Sequence, residues 1–330
     1  PLVDVLLAGL RRLEYRGYDS AGLATVSKGK LQILRSQGKL DNLARQVTTS
    51  PLEGTYGLGH TRWATHGRPN EENAHPHRDC TGSLVVVHNG IIENYLELKT
   101  RLISEGHTFV TETDTEVIIH LIDEAFKGNR RLEDAVAAAL LQVEGAYGIA
   151  VISSRDSGKL VAARNGSPLL LGIGKEGEYL VGSDASALVT HTRDVVYLND
   201  GDIAVMNGTG HWTFHLDRGA VTRPIQRVTW DLGAVEKEGF DHFMLKEIFE
   251  QPSSLRDVLR GRLLPEEGVS RLGGVTISDL ELLRIKRIII TACGTSWHSG
   301  LLGEYMLEDM ARVPVEVEYA SEFRYKSPLV

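Results

Sequence analysis

Two things are scarce in this sequence, cysteine and long apolar runs, and each shortage narrows the class of protein. Only two cysteines, Cys80 and Cys293, occur in 330 residues, which is too few for a disulfide framework and fits a reducing compartment. No apolar run approaches the roughly 18 residues that a membrane-spanning helix needs, and no signal-peptide pattern opens the chain. We therefore expect a cytoplasmic protein without a membrane partner.

An excess of positive charge is also missing. Lysine and arginine number 36 against 44 aspartates and glutamates, giving a net charge of −8. The chain therefore lacks the excess of positive charge that favours binding of nucleic acid. No internal repeat or low-complexity tract is present. A length of 330 residues with 42% hydrophobic content exceeds the usual size of a single core and predicts two domains.

The order of apolar patterns predicts an α+β fold. Helical spacing recurs over 1–13, 91–105, 115–127 and 131–143, whereas residues 146–230 consist of short β-rich runs. Strands are also expected at 57–63 and 83–88. Because the helices cluster between sets of strands, the pattern favours layered packing over a doubly wound sheet. We expect a first domain over 1–230, a linker over 231–252 and a second domain over 253–330.

Three polar stretches stand out within the first domain. His60–Gly67 is dense in imidazole, guanidinium and hydroxyl groups, which a buried strand could not satisfy without a polar ligand. An apolar strand runs directly into Asn89 and Gly90, where an amide and a backbone N–H could bind an oxyanion. Asp114 lies at a helix start beside a capping-box pattern formed by Thr113 and Glu116. Together these stretches suit an amino acid with a side-chain carbonyl.

Each of these signals has a structural alternative. Asn89-Gly90 is typical of a type I′ hairpin turn, Arg62 of a surface ion pair, and Asp114 of a helix-start carboxylate stabilised by the helix dipole. Isolated histidines such as His66 and His75 are more often structural than ligand-binding. His75 and His77 have a chelating spacing, but no third ligand lies nearby in sequence, so we expect neither a metal nor a cofactor.

The predicted linker contains a helix over 240–250 that Pro252 helps to end, and the second domain begins with a helix over 255–260. An apolar run over 286–291, a small-residue turn over 292–296 and a helix over 297–312 then lead to a strand over 315–319. This pattern predicts a βαβ unit. Its turn would present the backbone and hydroxyl groups of Gly294, Thr295 and Ser296 to an anion, for which phosphate is the best candidate.

Eight motifs in this order resemble the glutamine–fructose-6-phosphate aminotransferase (isomerising) family, also called glucosamine-6-phosphate synthases. The resemblance covers nearly the whole chain, and the last three motifs separate this family from other amidotransferases. The motifs are LEYRGYDSAG at 13–22, GHTRWATHG at 59–67, NAHPH at 73–77, VVHNGIIENY at 86–95, ETDTE at 112–116, KEIFEQP at 246–252, ACGTS at 292–296 and ASEFRY at 320–325.

The resemblance implies a four-layer αββα glutaminase domain of the N-terminal-nucleophile type, followed by a sugar-isomerase (SIS) domain. It implies glutamine and fructose 6-phosphate as substrates, no cofactor, and a homodimer for the full-length protein. Asn89 and Gly90 would form the oxyanion hole, and Arg16 would position the nucleophile. The remaining implied contacts are glutamine at Arg62, Trp63, Thr65, His66, His75 and Asp114, and sugar phosphate at Cys293, Gly294, Thr295 and Ser296. For Arg16 the alternative is an ion pair with Asp19.

One element of the family pattern is absent from these 330 residues. The nucleophile in the family is an N-terminal cysteine, and neither Cys80 nor Cys293 occupies an equivalent place. We therefore expect the chain to be a fragment of a longer polypeptide and inactive by itself. Two other hypotheses remain open: a non-catalytic sugar-phosphate sensor, and a phosphoribosyl amidotransferase, which would need a diphosphate-binding loop after residue 240 that the sequence lacks.

Overall fold

A computed structural model describes residues 2–64, 67–128, 130–175, 177–229, 240–259, 263–264, 268–270 and 277–328. The chain divides into two compact units, Pro1–Gly239 and Phe240–Val330. No helix within the described ranges has both the length and the apolar character needed to cross a bilayer.

The first unit contains five α-helices and fourteen strands among its described residues. The helices are α1 (Leu2–Leu13), α2 (Leu40–Thr49), α3 (Tyr95–Ser104), α4 (Thr115–Ala125) and α5 (Leu132–Leu140). The strands are β1 (Ser20–Ser27), β2 (Lys30–Gln37), β3 (Tyr56–Arg62), β4 (His77–Arg78), β5 (Leu84–Ile92), β6 (Gly145–Ser153), β7 (Lys159–Asn165), β8 (Leu170–Ile173), β9 (Tyr179–Gly182), β10 (Asp194–Tyr197), β11 (Asp202–Asn207), β12 (Gly210–His215), β13 (Gly219–Val221) and β14 (Gln226–Arg227).

A seven-stranded antiparallel sheet forms the centre of this unit, in the order β13-β12-β11-β7-β6-β5-β4. Alternation along β5 gives it two apolar faces, because successive side chains of a strand point to opposite sides. Leu84 and Val86 pack with α3, α4 and α5 on one face. Val85 and Val87 pack on the other face against side chains of β1 and β3. A sheet buried on both faces must be covered by a layer on each side.

The opposite layer consists of two smaller sheets, β2-β1-β3 and β14-β10-β8-β9. Leu171 of β8 packs against the seven-stranded sheet, while Leu23 of β1 points outward and packs with Leu10 of α1 and Leu43 of α2. Helices, sheet, sheet and helices therefore follow one another as four layers. This arrangement confirms the predicted α+β class and the αββα layering.

Two local predictions in the first unit are wrong. Strand β5 does not stop at His88 but continues through Asn89 and Gly90 to Ile92, paired with β6 along its whole length. The hairpin-turn alternative for Asn89-Gly90 therefore fails. The capping box at α4 is also absent: Asp114 takes the N-cap position, and Glu116 instead accepts the backbone N–H groups of Val110 and Thr111, each at 2.8 Å.

The second unit contains a parallel strand pair joined by a helix, as the βαβ pattern predicted. Strands β17 (Ile288–Ala292) and β18 (Val315–Tyr319) pair in parallel, and α8 (Gly294–Ala311) connects them. Helix α8 begins three residues earlier than predicted. The other elements are α6 (Phe243–Leu259), β15 (Leu263–Leu264), β16 (Val269–Ser270), α7 (Asp279–Leu282) and α9 (Ala320–Tyr325).

Pro252 does not end the first helix of the second unit. It lies inside α6, which runs without interruption from Phe243 to Leu259. A proline removes one backbone hydrogen bond from a helix, and the helix continues when the turns on both sides remain favourable. The two short helices predicted for this segment are one.

Candidate functional site

A cavity of about 490 Å³ opens within the first unit and is bordered by β3, β5 and the start of α4. Arg62, Asn89 and Asp114, which belong to three separate sequence motifs, all line it. The other polar or aromatic residues that line it and belong to the predicted motifs are Arg16, His60, Thr61, Trp63, His75, His88, Thr113 and Thr115, and Gly90 also lines it. The convergence on which the sequence hypothesis depended is therefore present.

Arg62 contributes a buried cation to the cavity. Its residue is 4% exposed at the end of β3, and its guanidinium donates to the carbonyl oxygens of Arg68 at 3.2 Å and Gly67 at 3.3 Å. Burial lowers the pKa of Arg62, while the carboxylates of Asp19 and Asp114 oppose that shift. Arginine stays protonated under such conditions. A fixed guanidinium of this kind suits recognition of a carboxylate.

Asp114 carries the charge opposite to that of Arg62 and is as deeply buried, with 3% of the residue exposed. Its Oδ2 accepts the backbone N–H of Ile92 at 2.8 Å, which fixes the carboxylate beside the end of β5. No side-chain cap bond to α4 is formed, so the helix-start explanation for this residue accounts for its position but not for the direction of its side chain. Arg62 and Asp114 together give the cavity one positive and one negative group.

Asn89 is exposed in the middle of β5, and its amide is oriented by a neighbouring imidazole. Nε2 of His60 lies 3.0 Å from Oδ1 of Asn89. Because an amide oxygen can only accept, the ring must donate its Nε2–H, which leaves the Asn89 NH₂ group free of this bond. Such an NH₂ group is a donor of the kind that stabilises an oxyanion.

Glycine is required at position 90 for two reasons. Its φ is +140°, and a Cβ built there would lie 1.9 Å from the carbonyl oxygen of Ala146 on β6. Both the backbone conformation and the close approach of β6 exclude a side chain. The Asn-Gly pair therefore marks a close contact between two strands.

The YRGYD turn supports the end of β3. Gly17 lies so close that a Cβ there would be 2.8 Å from the carbonyl carbon of Arg62, and Asp19 Oδ2 accepts the backbone N–H of Ala64 at 2.8 Å. Arg16 forms an ion pair with Asp184 at 2.5 Å. The alternative pairing of Arg16 with Asp19 is therefore wrong, because Asp19 is used to hold the chain next to Arg62.

Four histidines pack together at the cavity wall, and three of them, His60, His75 and His88, line it. The rings of His60 and His75 stack at 4.3 Å, and His77 meets His75 edge-on at 4.5 Å. Burial lowers the pKa of His60 to about 4 and that of His77 to about 3, and it holds the pKa of His75 well below its usual value. These three imidazoles are therefore neutral at pH 7.

A chain of hydrogen bonds through Thr115 fixes the rings of His75 and His88. His75 Nδ1 accepts the backbone N–H of His88 at 3.2 Å, so its proton is on Nε2, which lies 3.4 Å from the Thr115 hydroxyl. That hydroxyl lies 2.9 Å from His88 Nδ1, while His88 Nε2 faces the Ala146 carbonyl at 3.4 Å. The chain joins the first turn of α4 to β5.

The other predicted site residues divide into three groups. Trp63 is 56% exposed at the cavity edge and packs edge-on against Tyr18 at 5.4 Å. Thr65 and His66 lie outside the described residues. Cys293 takes the N-cap position of α8 in the second unit without a side-chain cap bond, and Gly294, Thr295 and Ser296 form the first turn of that helix.

Sequence reasoning missed His60, His88 and Thr115. A signal was available for the two histidines, because each lies next to a predicted site residue in its strand: His88 directly precedes Asn89, and His60 stands two positions before Arg62. Thr115 gave no such signal, since a threonine at the start of a helix is ordinary.

Comparison with solved structures defines the class of protein. The glutamine phosphoribosylpyrophosphate amidotransferase from B. subtilis superposes with a TM-score of 0.58 over 95% of this chain and 62% of its own, at 20% identity. A structure described as the allosteric regulatory enzyme of purine biosynthesis gives a TM-score of 0.56 at 28% identity, over 65% of this chain and 46% of that one. The fold is that of the N-terminal-nucleophile amidotransferases.

Sequence comparison gives the family. A profile of the glutamine amidotransferase domain matches residues 21–204, and a profile of the SIS domain matches residues 281–330. The chain belongs to the glutamine amidotransferase family.

Curated relatives of this chain are named glutamine–fructose-6-phosphate aminotransferase [isomerizing]. The proteins of Chlorobaculum tepidum, Thermus thermophilus and Pyrococcus horikoshii are 50%, 48% and 47% identical to this chain over 99%, 99% and 98% of its length. The same alignments cover 54%, 53% and 52% of those proteins. The chain thus spans about half the length of the curated relatives it matches.

Proposed function

We propose that this chain carries the glutaminase part and the start of the sugar-isomerase part of an enzyme that makes glucosamine 6-phosphate and glutamate from fructose 6-phosphate and glutamine. The observation that carries the proposal is the cavity shared by Arg62, Asn89 and Asp114. The match of residues 281–330 to the SIS domain supports a sugar phosphate as the second substrate. The same match disfavours the phosphoribosyl alternative.

Glutamine fits the charges of this cavity. Its α-carboxylate pairs with the Arg62 guanidinium and its α-ammonium with the Asp114 carboxylate, and both bonds are charge-assisted. Because each charge is already fixed by contacts to backbone groups, little ordering is needed on binding. Amides that lack the amino-acid end lose both contacts, so this pairing selects glutamine over other amides.

The chemistry expected at the opposite end of glutamine is acyl transfer through a thiolate. Attack on the side-chain amide forms a C–S bond and a tetrahedral oxyanion, which the Asn89 NH₂ group and the Gly90 N–H stabilise. Collapse expels ammonia, and water then hydrolyses the thioester to glutamate. Cys80 does not line the cavity, and Cys293 belongs to the second unit, so we propose that these 330 residues alone bind glutamine without hydrolysing it.

The second unit has a candidate phosphate site at the start of α8. Cys293 is the N-cap residue, and Gly294, Thr295 and Ser296 place their backbone N–H groups in the first turn, where helix N-termini favour anions. Binding of fructose 6-phosphate there, homodimer formation and a cytoplasmic location remain parts of this proposal.

Calorimetric titration with glutamine tests the binding step. The full protein should bind glutamine, and Arg62→Gln should weaken binding by at least roughly tenfold, the equivalent of one charge-assisted hydrogen bond. Arg68→Gln is the matched control. Arg68 accepts a hydrogen bond from the Arg62 guanidinium with its backbone carbonyl oxygen, which this substitution keeps. Binding of a hexose phosphate with no binding of glutamine would favour the sensor hypothesis instead.

The catalytic step is tested with the full-length protein by following glutamate release and glucosamine 6-phosphate formation. Asn89→Ala should lower kcat about 10²–10³-fold, as expected for the loss of one oxyanion donor. The KM for glutamine should change little, because Asn89 acts on the transition state. An unchanged kcat would contradict the assignment of Asn89.

A further inference from the structure

Three side chains that can bind a metal ion come from separate segments of the first unit and meet outside the cavity lining. Cys80 follows β4, His107 lies between α3 and α4, and His120 belongs to α4. Cys80 Sγ lies 3.9 Å from His107 Nδ1 and 3.8 Å from His120 Nδ1, and the two Nδ1 atoms are 3.3 Å apart. None of these residues lines the cavity, so the cluster is a separate feature of the first unit.

Each histidine of this cluster turns its other nitrogen to a carboxylate. His107 Nε2 lies 2.8 Å from Glu124 Oε1, and His120 Nε2 lies 3.6 Å from Glu116 Oε1. The hydrogen bond to Glu124 favours the proton on Nε2 of His107, which leaves a lone pair on its Nδ1. At 3.6 Å, His120 Nε2 forms no hydrogen bond with Glu116. The Nδ1 atoms of the two rings face each other at 3.3 Å.

The three donor atoms surround one point. Nδ1 of His107, Nδ1 of His120 and Sγ of Cys80 come from separate segments and lie within 3.9 Å of one another. The backbone N–H of Thr108 points at the sulfur, 3.4 Å away, and the thiol can donate to the Thr108 carbonyl oxygen at 3.8 Å. Two imidazole nitrogens and a thiol that loses its proton on metal binding form a donor set for a metal ion.

The distances fit tetrahedral coordination. Zinc binds imidazole nitrogen at about 2.0–2.1 Å and thiolate at about 2.3 Å, so at tetrahedral angles two nitrogens lie ~3.3 Å apart and a nitrogen lies ~3.6 Å from the sulfur. The observed separations are 3.3, 3.8 and 3.9 Å. Calcium and magnesium are disfavoured because they take oxygen ligands. Softer nitrogen and sulfur donors favour zinc.

We propose that Cys80, His107 and His120 bind a Zn²⁺ ion in a site with three protein ligands and an open fourth position. Cys80 is exposed, and the His107 ring is 7% exposed, so the ion enters from solvent on the Cys80 side. As the metal–sulfur bond forms, the thiol proton leaves to solvent. The bound ion ties the loop after β4 to α4, whose first turn fixes the Asp114 wall of the cavity.

Spacing in the sequence could not reveal this site. The prediction of no metal considered His75 and His77, which are neighbours in sequence, whereas Cys80 lies 27 residues from His107 and 40 from His120. Only the fold brings these three residues together.

Titration of the full protein with Zn²⁺ alone tests the proposal. We expect the parent to bind one Zn²⁺ per chain. In Cys80→Ser and in His107→Gln this ion should be lost, or the affinity for it should fall by at least ~100-fold. Glu124→Gln should weaken binding about 10–100-fold, as is usual for a partner of a ligating histidine. Cys293→Ser is the matched control for the loss of a cysteine and should bind as the parent does. Equal stoichiometry and affinity in the parent and Cys80→Ser would overturn the proposal.

Two measurements keep the test decisive if a variant folds poorly. With Co²⁺ in place of Zn²⁺, the unsubstituted protein should show a thiolate-to-metal charge-transfer band, which a site without Cys80 cannot give. Its absence in a cobalt-loaded protein would overturn the site. Thermal unfolding should shift upward with Zn²⁺ in the parent and Cys293→Ser but not in Glu124→Gln at the same ion concentration. An equal shift in all three proteins would place the metal elsewhere.

Discussion

Mild acid should destabilise the first unit strongly, because three histidines must stay neutral for it to fold. His60, His75 and His77 are buried against one another, and burial holds the pKa of each far below the value of about 6.5 expected in the unfolded chain. A base whose pKa is lower in the folded state contributes stability that is present above the unfolded pKa. That stability is lost as the pH falls from about 6.5 towards the folded pKa.

The size of the effect at pH 5 depends on the unfolded chain alone. His60 and His77 are still neutral in the folded chain at that pH, since their pKa values are about 4 and about 3. In the unfolded chain each of them gains nearly one proton, worth about 2 kcal/mol between pH 7 and pH 5. Together they give about 4 kcal/mol, a large part of the whole stability of many domains, and the lowered pKa of His75 acts in the same direction.

Urea unfolding at pH 7 and pH 5 measures this difference. Brief proteolysis followed by peptide mass spectrometry at each urea concentration scores the first unit by itself. His60→Gln can still donate to Asn89 but has no proton to gain, so the loss of stability between the two pH values should shrink by about 2 kcal/mol. His191 is exposed, and His191→Gln is the control that should leave the loss unchanged. An equal loss in the parent and His60→Gln would refute the reasoning.

Three further predictions concern the cavity. Gly90→Ala should lower the free energy of unfolding by about 2–5 kcal/mol in urea, because its Cβ would collide with the Ala146 oxygen at a φ that disfavours side chains; an unchanged midpoint would contradict this. Arg62→Lys should raise the KM for glutamine about tenfold in a glutamate-release assay, since lysine cannot bind a carboxylate with two hydrogen bonds; an unchanged KM would count against carboxylate pairing. Asp114→Asn should also raise that KM while shifting the unfolding temperature by less than about 2 °C, because the amide oxygen can still accept the Ile92 N–H; a large fall in stability would indicate a structural role.

The sequence predicted those features that depend on local pattern. The alternation Leu84, Val85, Val86 and Val87 defines a strand with two apolar faces, and a sheet built from such strands must be covered on both sides. The clustered helices predicted layered α+β packing, while the expectation of four layers came from the family resemblance. The motifs of β3, β5 and α4 also pointed to one site, because each interrupts an apolar element with charged or amide side chains.

Features that depend on distant partners could not be predicted. Asn89-Gly90 is a strong turn signal taken alone, but pairing of both residues with β6 keeps the strand extended. Arg16 has Asp19 three positions away, yet its ion-pair partner is Asp184, 168 positions away. Glu116 is placed for a capping box and instead accepts the N–H groups of Val110 and Thr111. In each case a tertiary contact replaced the local one.

Helix α4 connects the cavity carboxylate, the buried histidines and the proposed metal ligands. At its start, Asp114 accepts the Ile92 N–H, and the Thr115 hydroxyl lies between His75 and His88. Asn89 therefore lies on a stretch of β5 that α4 holds on both sides, from His88 to Ile92. The carboxylate proposed for the ammonium and the amide proposed for the oxyanion cannot move independently, because a shift of α4 moves both.

The proposed metal site acts on the same helix about one and a half turns further along. His120 lies on α4 five residues after Thr115, and a bond to Zn²⁺ would fix that turn relative to Cys80, which follows the β4 strand next to β5. The buried, neutral histidines give α4 a rigid support but no charge, so its position depends on hydrogen bonds and packing. A metal ion that holds its middle would stabilise both walls of the glutamine cavity without contacting either.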